Sequence, residues 1–509
     1  MPVERIDPLR QVATFEHDRR GLLTRYADER GGTSAFTYDD RYGLLQSHTD
    51  CSGSTTCFAW NGDGELVRET DALGQVRQLL RNASGAVQTV VHADGTRETF
   101  EYNALGQVCQ HTDALGHVSR WIYTGRGQPE RRVDRLGRSL DYRYDQRGQL
   151  CTLTNANRAS YSFAYDAAGR LTTEVRLNGV QRQLRYNEHG EVVAQTMAGR
   201  LGASETIGFV RDAAGRLVEK RSRCSSTRYS YDLLDRVTGI VRQPTASGLA
   251  LGITASALAF EYDALGRLVA ETADGLRTES RHDALGNVIE RRLPFGQRLS
   301  TLRYGSGHVH QISLDGATLS DIERDALHRE VRHTQGARLC STSYDPLGRT
   351  RARLSELRGQ HGMTGAHLLG SSYEYDLAGN VRQVTRRGNA PHERSVLQYT
   401  YDVMGRMTAC HDDDGLYERY AYDAADNLID ATRDNTASRM LNDLLTRFRN
   451  ADYTYDGFGQ LCRKAQDGMV QDFVHDDEGR MVRASGRSRN GSHSTRYEYD
   501  AIGRRTGKI

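Results

Sequence analysis

The chain has 509 residues, more than one ordinary domain needs, which points to several domains or to a repeat array. Its charge is nearly balanced, 68 Lys+Arg against 66 Asp+Glu for a formal +2, and this excludes the basic stripe of a dedicated nucleic-acid binder. Mean hydropathy is −0.66, low enough to raise disorder, yet Pro is only 7 and Tyr is 26, and Tyr supplies amphipathic core area without many aliphatics.

Residues Met1 to Val12 are charged and lack the apolar stretch of a secretory signal. The longest apolar run, Leu249 to Phe260, falls short of the roughly 18 residues a membrane helix needs. No membrane span is expected. The Cys residues are scattered and suggest no disulfide framework. The cations are almost all Arg, with Lys only at Lys220, Lys464 and Lys508, which reads as coding bias and not as a binding signal.

Taken in chain order, one motif recurs: Tyr-Asp-x-x-Gly-Arg-Leu or a near variant. Copies begin at Tyr102 (with Asn103 and Gly106), Tyr144 (Asp145, Gly148), Tyr165 (Asp166, Gly169), Tyr186, Tyr262 (Asp263, Gly266), Tyr344, Tyr375 (Asp376, Gly379), Tyr401 (Asp402, Gly405), Tyr455 (Asp456, Gly459) and Tyr499 (Asp500, Gly503). Copies that replace the Tyr begin at Thr70, Thr112, Val133, Arg211, His282 and His475. Copies that lose the Gly begin at Tyr231, Arg324 and Tyr422. Positions 145, 166 and 187 are 21 apart, and the longer gaps of 31 and 33 read as one period plus a loop insertion.

Many tyrosines also sit two residues before a motif Tyr, as at Tyr373 and Tyr497, which puts both rings on one face of a strand. Asp-x-x-Gly reads as a turn: Asp bonds the backbone ahead of it and Gly tolerates positive φ. Each repeat is therefore a strand–turn–strand unit. The fold class is all-β: tandem β-hairpins forming a spiralling sheet, a shell- or barrel-like wall, because long twisted sheets do not stay flat. Little helix is expected; Leu441 to Asn450 is the best helical candidate.

These residues resemble the YD repeats of the Rhs family, found also in the C components of insecticidal toxin complexes and in teneurins. The resemblance covers essentially the whole chain, from about Tyr38 to Arg504. It implies a β-sheet that spirals into a hollow shell and holds a toxic C-terminal polypeptide, largely unfolded, until delivery. Such proteins act in type VI secretion, in toxin complexes or in contact-dependent bacterial competition. Full-length members close with an Asp-Pro-x-Gly-Leu-type motif, near which acidic residues perform self-cleavage in several members. Here Asp345 to Gly348 is an ordinary repeat turn, and Ile509 follows Arg504 by five residues. The expectation is one continuous array over 1–509, without a spike-like or toxin domain, and so a fragment, a truncated reading frame or one piece of a split system.

The repeated Asp residues read as turn caps, since a catalytic carboxylate needs one special environment and these have many equivalent ones. Cys109, Cys151 and Cys462 share one repeat slot and read as core. Cys51 and Cys57 are close in sequence but form no CxxC pair. His308 and His310 would face one side of a strand without a third ligand. His411 to Gly415 lacks the spacing of a calcium loop. Gly305-Ser306-Gly307 lacks the third Gly of a dinucleotide site. Asn82 and Asn490 begin glycosylation-like triplets. No catalytic, cofactor-binding or metal-ligating residue is expected, and no cofactor.

The leading functional reading is an encapsulating scaffold whose partners are a toxin payload or remaining Rhs core polypeptide, with secretion-spike components, and no nucleic acid. It would be cytoplasmic in the producing cell and then leave by a route that uses no signal peptide. The alternative is a carbohydrate- or partner-binding repeat surface built on Tyr and Arg rows. An enzyme would require a non-repeat domain.

Overall fold

The computed structural model describes residues 3–357, 367–388, 393–413, 415, 417–430, 439–441, 443–489 and 491–509. Among these, 39 strands from Glu4–Ile6 to Leu428–Asp430 belong to one sheet, and eight from Arg439–Leu441 to Arg505–Lys508 to a second. Strands pair antiparallel with their sequence neighbours, as in a chain of hairpins. The helical elements described are Ala246–Ala250 and the short turn Arg200–Gly202.

One period shows why the sequence repeats every 21 residues. The six-residue strand Ser160–Tyr165 is followed by the turn from Asp166 to Arg170. The five-residue strand Leu171–Val175 then leads into a second turn, from Arg176 to Val180. Two strands and two five-residue turns fill the period. In both turns the first residue's N–H meets the fifth residue's carbonyl, Asp166 to Arg170 at 3.0 Å and Arg176 to Val180 at 2.9 Å.

The two turns differ. At the first, the register slips between Ala164 and Tyr165, so Tyr165 faces Leu171. The second closes on Val175↔Gln181 without a slip. The slip is a β-bulge, which re-aims a side chain, and it recurs before the motif Asp or Asn at Tyr102, Tyr144, Tyr186 and Tyr499. It also occurs at Arg211, His282, Arg324 and His475, which are therefore true copies with the Tyr replaced. The copies at Thr70, Thr112 and Val133 lack it. They are the second kind of turn, on the opposite edge of the sheet, and not Tyr-less versions of the first.

Side chains alternate along the strands. In Ser160–Tyr165 the residues Tyr161, Phe163 and Tyr165 are half-buried, while Ser160, Ser162 and Ala164 are exposed. The chain divides into two compact units. Unit 1 comprises Met1–Arg120, Tyr262–Val269 and Thr278–Glu418; unit 2 comprises Trp121–Glu261, Ala270–Arg277 and Arg419–Ile509. Two buried apolar clusters lie in unit 2, Cys224 with Ile253 and Val482, and Ile240 with Leu258 and Ala501.

The helix expected over Leu441 to Asn450 is not formed. Leu444–Phe448 is a strand paired with both Arg439–Leu441 and Ala451–Tyr455. Neighbouring strands offer hydrogen-bonding edges there, and tertiary pairing overrides the modest helix propensity of the Leu residues. Asn442 lies outside the described residues, as do Asp414 of the acidic His411 segment and Asn490.

Candidate functional site: the braced repeat turn

The motif Asp organises its turn. Asp166 Oδ1 accepts from the Ala168 and Arg170 amides at 2.9 and 3.0 Å. Gly169 closes the turn at φ +82° by donating to the Asp166 carbonyl at 3.0 Å. The same bonds form at Asn103 with Gly106, Asp145 with Gly148, Asp263 with Gly266, Asp376 with Gly379, Asp402 with Gly405, Asp456 with Gly459 and Asp500 with Gly503. A left-handed residue is required at that fourth position, which Gly supplies cheaply. In the Gly-less copies Asp235, His328 and Asp426 adopt it at φ 61°, 59° and 71°.

The second Asp oxygen holds the motif Arg. Arg170 Nε donates to Asp166 Oδ2 at 2.7 Å, and Arg267 does so to Asp263 at 2.6 Å. The guanidinium then lies over the next motif Tyr: Arg170 is 4.7 Å from the Tyr186 ring centroid, Arg329 is 4.4 Å from Tyr344 and Arg349 is 4.6 Å from Tyr375. A planar fork can bond a carboxylate and stack on a ring at once, and an ammonium cannot. Arg in this slot thus has a structural reason beyond the coding bias expected from composition.

The motif Tyr completes the brace. Tyr165 Oη donates to the Leu150 carbonyl at 3.0 Å, and Tyr186 Oη to Leu171 at 2.7 Å, each 15 residues earlier. Tyr102 and Tyr144 reach Val87 and Pro129 in the same way at 2.7 and 2.8 Å. Where insertions intervene the target moves further back: Tyr375 reaches Thr350, Tyr401 reaches Val381 and Tyr499 reaches Met481. Tyr455 reaches Leu445, and Tyr262 also lies in this slot, ending the strand Ser256–Tyr262. Burial pushes the Tyr165, Tyr401 and Tyr499 phenols up, so the donating proton stays on.

Other donors fill the slot without a Tyr. Trp60 Nε1 reaches Leu45 at 2.8 Å, Arg81 reaches Leu66 at 3.0 Å, Arg303 reaches Val288 at 3.2 Å and Arg324 reaches Val309 at 3.1 Å. Sequence reasoning passed over Trp60 and Arg81, although the register flags them: positions 60, 81 and 102 are 21 apart.

Where a motif carboxylate shifts it shifts downward, away from the near-neutral value that acid–base work favours. Backbone bonds from Arg170 hold Asp166 below the ordinary carboxylate range. At Asp402 burial pushes up, but bonds from Arg406 outweigh it and the result is again downward. All eight Cys are free thiols; Cys151 Sγ lies 3.6 Å from the Gln149 carbonyl and Cys462 Sγ 3.3 Å from Thr454. Cys109 lies in the strand Val108–Thr112, and Cys51 and Cys57 are not bonded to each other. Gly305 to Gly307 form a tight turn into the strand His308–Leu314, and Asn82 caps a motif turn. Among the described residues no group of three or more His, Cys, Asp or Glu is placed to hold a metal. No described helix is long and apolar enough to cross a membrane.

The teneurin YD-shell family model matches residues 341–509, and the RHS repeat model matches residues 81–120 and 257–308. The chain is 37% identical over 305 residues to double-stranded DNA deaminase toxin A of Burkholderia cenocepacia, covering 60% of this chain and 21% of that protein. It is 30% identical over 343 residues to toxin protein Tse5 of Pseudomonas aeruginosa, covering 58% of this chain and 25% of that protein. It thus spans about a quarter or less of these curated relatives. The fold is shared with a TcdB2-TccC3-TEV crystal structure at TM-score 0.63 and 14% identity, over 96% of this chain and 28% of that one. The Photorhabdus luminescens Tc holotoxin pore superposes at TM-score 0.59 and 15% identity, over 99% of this chain and 30% of that one. Braced turns in a fixed register, both family matches and these relatives agree that the chain is built of Rhs-type, or YD, repeats.

Proposed function

We propose that this chain is a stretch of encapsulating wall that holds a toxic polypeptide away from the cytoplasm and performs no chemistry itself. The observation that carries this is the run of sequential hairpins in which motif residues such as Asp166, Arg170, Tyr165 and Tyr186 are committed to bracing the sheet. Such a wall acts by topology: paired main chains leave a protease little extended backbone to grip. Two relatives are named as toxins, and a toxin is the payload that fits. The array reading treats residues 1–509 as one repeat domain. Its other partners are the remaining Rhs core and secretion-spike components, and its route out of the cell is type VI secretion without a cleaved signal. Tyr and Arg rows are less suited to sugar stacking, because the motif hydroxyls and guanidiniums already have partners.

The test uses the complete coding frame that contains this chain. Proteinase K is added to the purified protein and the fragments are followed by mass spectrometry. Payload peptides should survive in the parent and disappear when Gly148, Gly169 and Gly190 are all replaced by Val. Digestion of the payload at one rate with and without the wall segment would overturn the reading.

A further inference from the structure

His328 occupies a position where an L-residue is strained. It is the fourth residue of the turn begun by Asp325, the slot Gly fills elsewhere, and its φ is +59°. Strain of this kind persists where surrounding contacts determine it and points to a role for the side chain. Both ring nitrogens are used. Nε2 lies 2.7 Å from Asp50 Oδ2, 278 residues earlier, and Nδ1 lies 3.2 Å from Tyr304 Oη. The ring also stacks on His308, with centroids 3.8 Å apart and planes at 12°. Asp50 is itself a turn Asp: its Oδ1 takes the Ser52 and Ser54 amides at 2.8 and 2.9 Å, which leaves Oδ2 for His328.

All of these groups lie in unit 1. We propose that the stacked His308–His328 pair is an acid-sensitive latch that fastens the turn at Asp50 to the turn at Asp325 and opens between about pH 7 and pH 5. The groups that face it set the sign. Asp50 lies against His328 and accepts from a charged ring more strongly than from a neutral one, so charge on His328 keeps that bond. Charge on both rings puts two cations face to face. Burial pulls the His308 imidazole below its ordinary value, and His328 and then Arg324 add to this, while Asp50 opposes it. Asp50, the carboxylate that favours a charge on His308, is already bonded to His328. Tyr304 remains a neutral phenol, because burial raises it. Asp325 is committed to Arg329 at 2.8 Å, His310 Nδ1 lies 3.2 Å from the Ile322 carbonyl, and Cys51 is pushed up by burial and by Asp28. A histidine whose folded value is depressed contributes stability above its unfolded value, about 6.5, and loses it as pH falls below.

The experiment is amide exchange by mass spectrometry on the complete 509-residue chain at pH 7.5 and 5.5, corrected for intrinsic exchange. Peptides spanning Asp50 to Ser54 and Arg324 to Arg329 should open up to about tenfold more often at the lower pH, the limit for one proton taken up by a ring whose open-state value is about 6.5. Peptides around Gly169 should not respond. His308→Phe keeps the stack but cannot be charged, and should reduce the response to less than twofold. His328→Gln, which can still donate to Asp50, serves the same purpose if the first variant fails to fold. No response in the parent, or equal responses in parent and folded variant, overturns the latch.

Discussion

Distant strands meet differently in the two units. In unit 1 the partners are ionisable: Arg30 Nη1 bonds Asp283 Oδ2 at 3.2 Å across 253 residues, His328 bonds Asp50 at 2.7 Å, and Arg349 reaches Asp94 at 3.5 Å. In unit 2 much of the join is backbone and apolar. Arg242, only 2% exposed, donates to the carbonyls of Asp500 at 2.9 Å and Tyr499 at 2.6 Å. The Arg200 amide meets the Gly457 carbonyl at 2.7 Å, and a Cβ at Gly199 would lie 2.6 Å from that oxygen. Two buried clusters add to it. Carbonyl bonds and apolar contacts do not titrate, whereas His and Asp pairs do. Unit 2 also has ion pairs across its join, Lys220 with Glu478 at 2.7 Å and Arg138 with Asp426 at 2.9 Å, but these contain no His, the side chain whose charge changes near pH 6, so the two joins should respond in different pH ranges.

Acid should separate the two, and its collective effect is the largest expected. Bonds from Arg216 hold Asp212 below the ordinary carboxylate value; at Asp134, Asp232 and Asp263 burial pushes up, but bonds from their motif Arg residues outweigh it. A depressed folded value means stability that is present above about pH 4 and lost as pH falls through the folded values. Far-UV circular dichroism should show the whole array unfolding only below about pH 4, well after the latch in unit 1 has opened. Simultaneous loss near pH 6 would mean that the joins do not differ.

Arg242→Met attacks the unit 2 join alone. It removes the buried bonds to the Asp500, Thr254 and Tyr499 carbonyls in a site with little water, at a cost of about 3 kcal/mol. Urea unfolding should move by that amount, and exchange should rise first in the strand Gly491–Tyr499. Arg242→Lys should recover part of the loss. Within a single turn, Gly169→Val or Gly266→Val places a β-branched residue at φ +82° or +79°, which costs roughly 2 kcal/mol or more. Wild-type melting of both variants would mean that these turns tolerate another backbone. Tyr165→Phe removes only the bond to Leu150 and should cost about 1 kcal/mol, as should loss of the Trp60 donor.

The hairpins, their Asp caps and their glycines were legible because each is a local pattern repeated in one register. The second turn of each period was only partly legible. It shares the five-residue length and backbone bonds but needs no Tyr, so Arg176 to Val180 leaves little trace while Asp71, Asp113 and Asp134 look like worn copies of the first turn. The braces were hidden for another reason. A donor is needed 15 residues ahead of a carbonyl, and Tyr, Trp and Arg all meet that need, so identity varies while chemistry stays constant. Contacts such as His328 with Asp50 join positions 278 apart, and no local period encodes them. The strand at Leu444–Phe448 failed as a helix because its pairing partners, and not its own residues, decide its conformation.

The smallest expected effect runs in the stabilising direction. Asp235 sits in a glycine slot at φ 61°, as His328 does, but its carboxylate meets only Arg216 at 2.7 Å and is 71% exposed. An exposed pair of this kind contributes little, so the strain there is poorly compensated. Asp235→Gly should stabilise unit 2 by about 0.5–1 kcal/mol, read as a small rise in urea midpoint at unchanged slope. His328→Gly relieves the same strain but gives up the bonds to Asp50 and Tyr304 and the stack on His308. It should gain less than Asp235→Gly at pH 7.5 and abolish the acid response of the Asp50 peptide. Equal gains at both positions would mean that the His328 contacts contribute nothing at neutral pH, and that the contrast between the two joins rests on Arg30 and Arg349 alone.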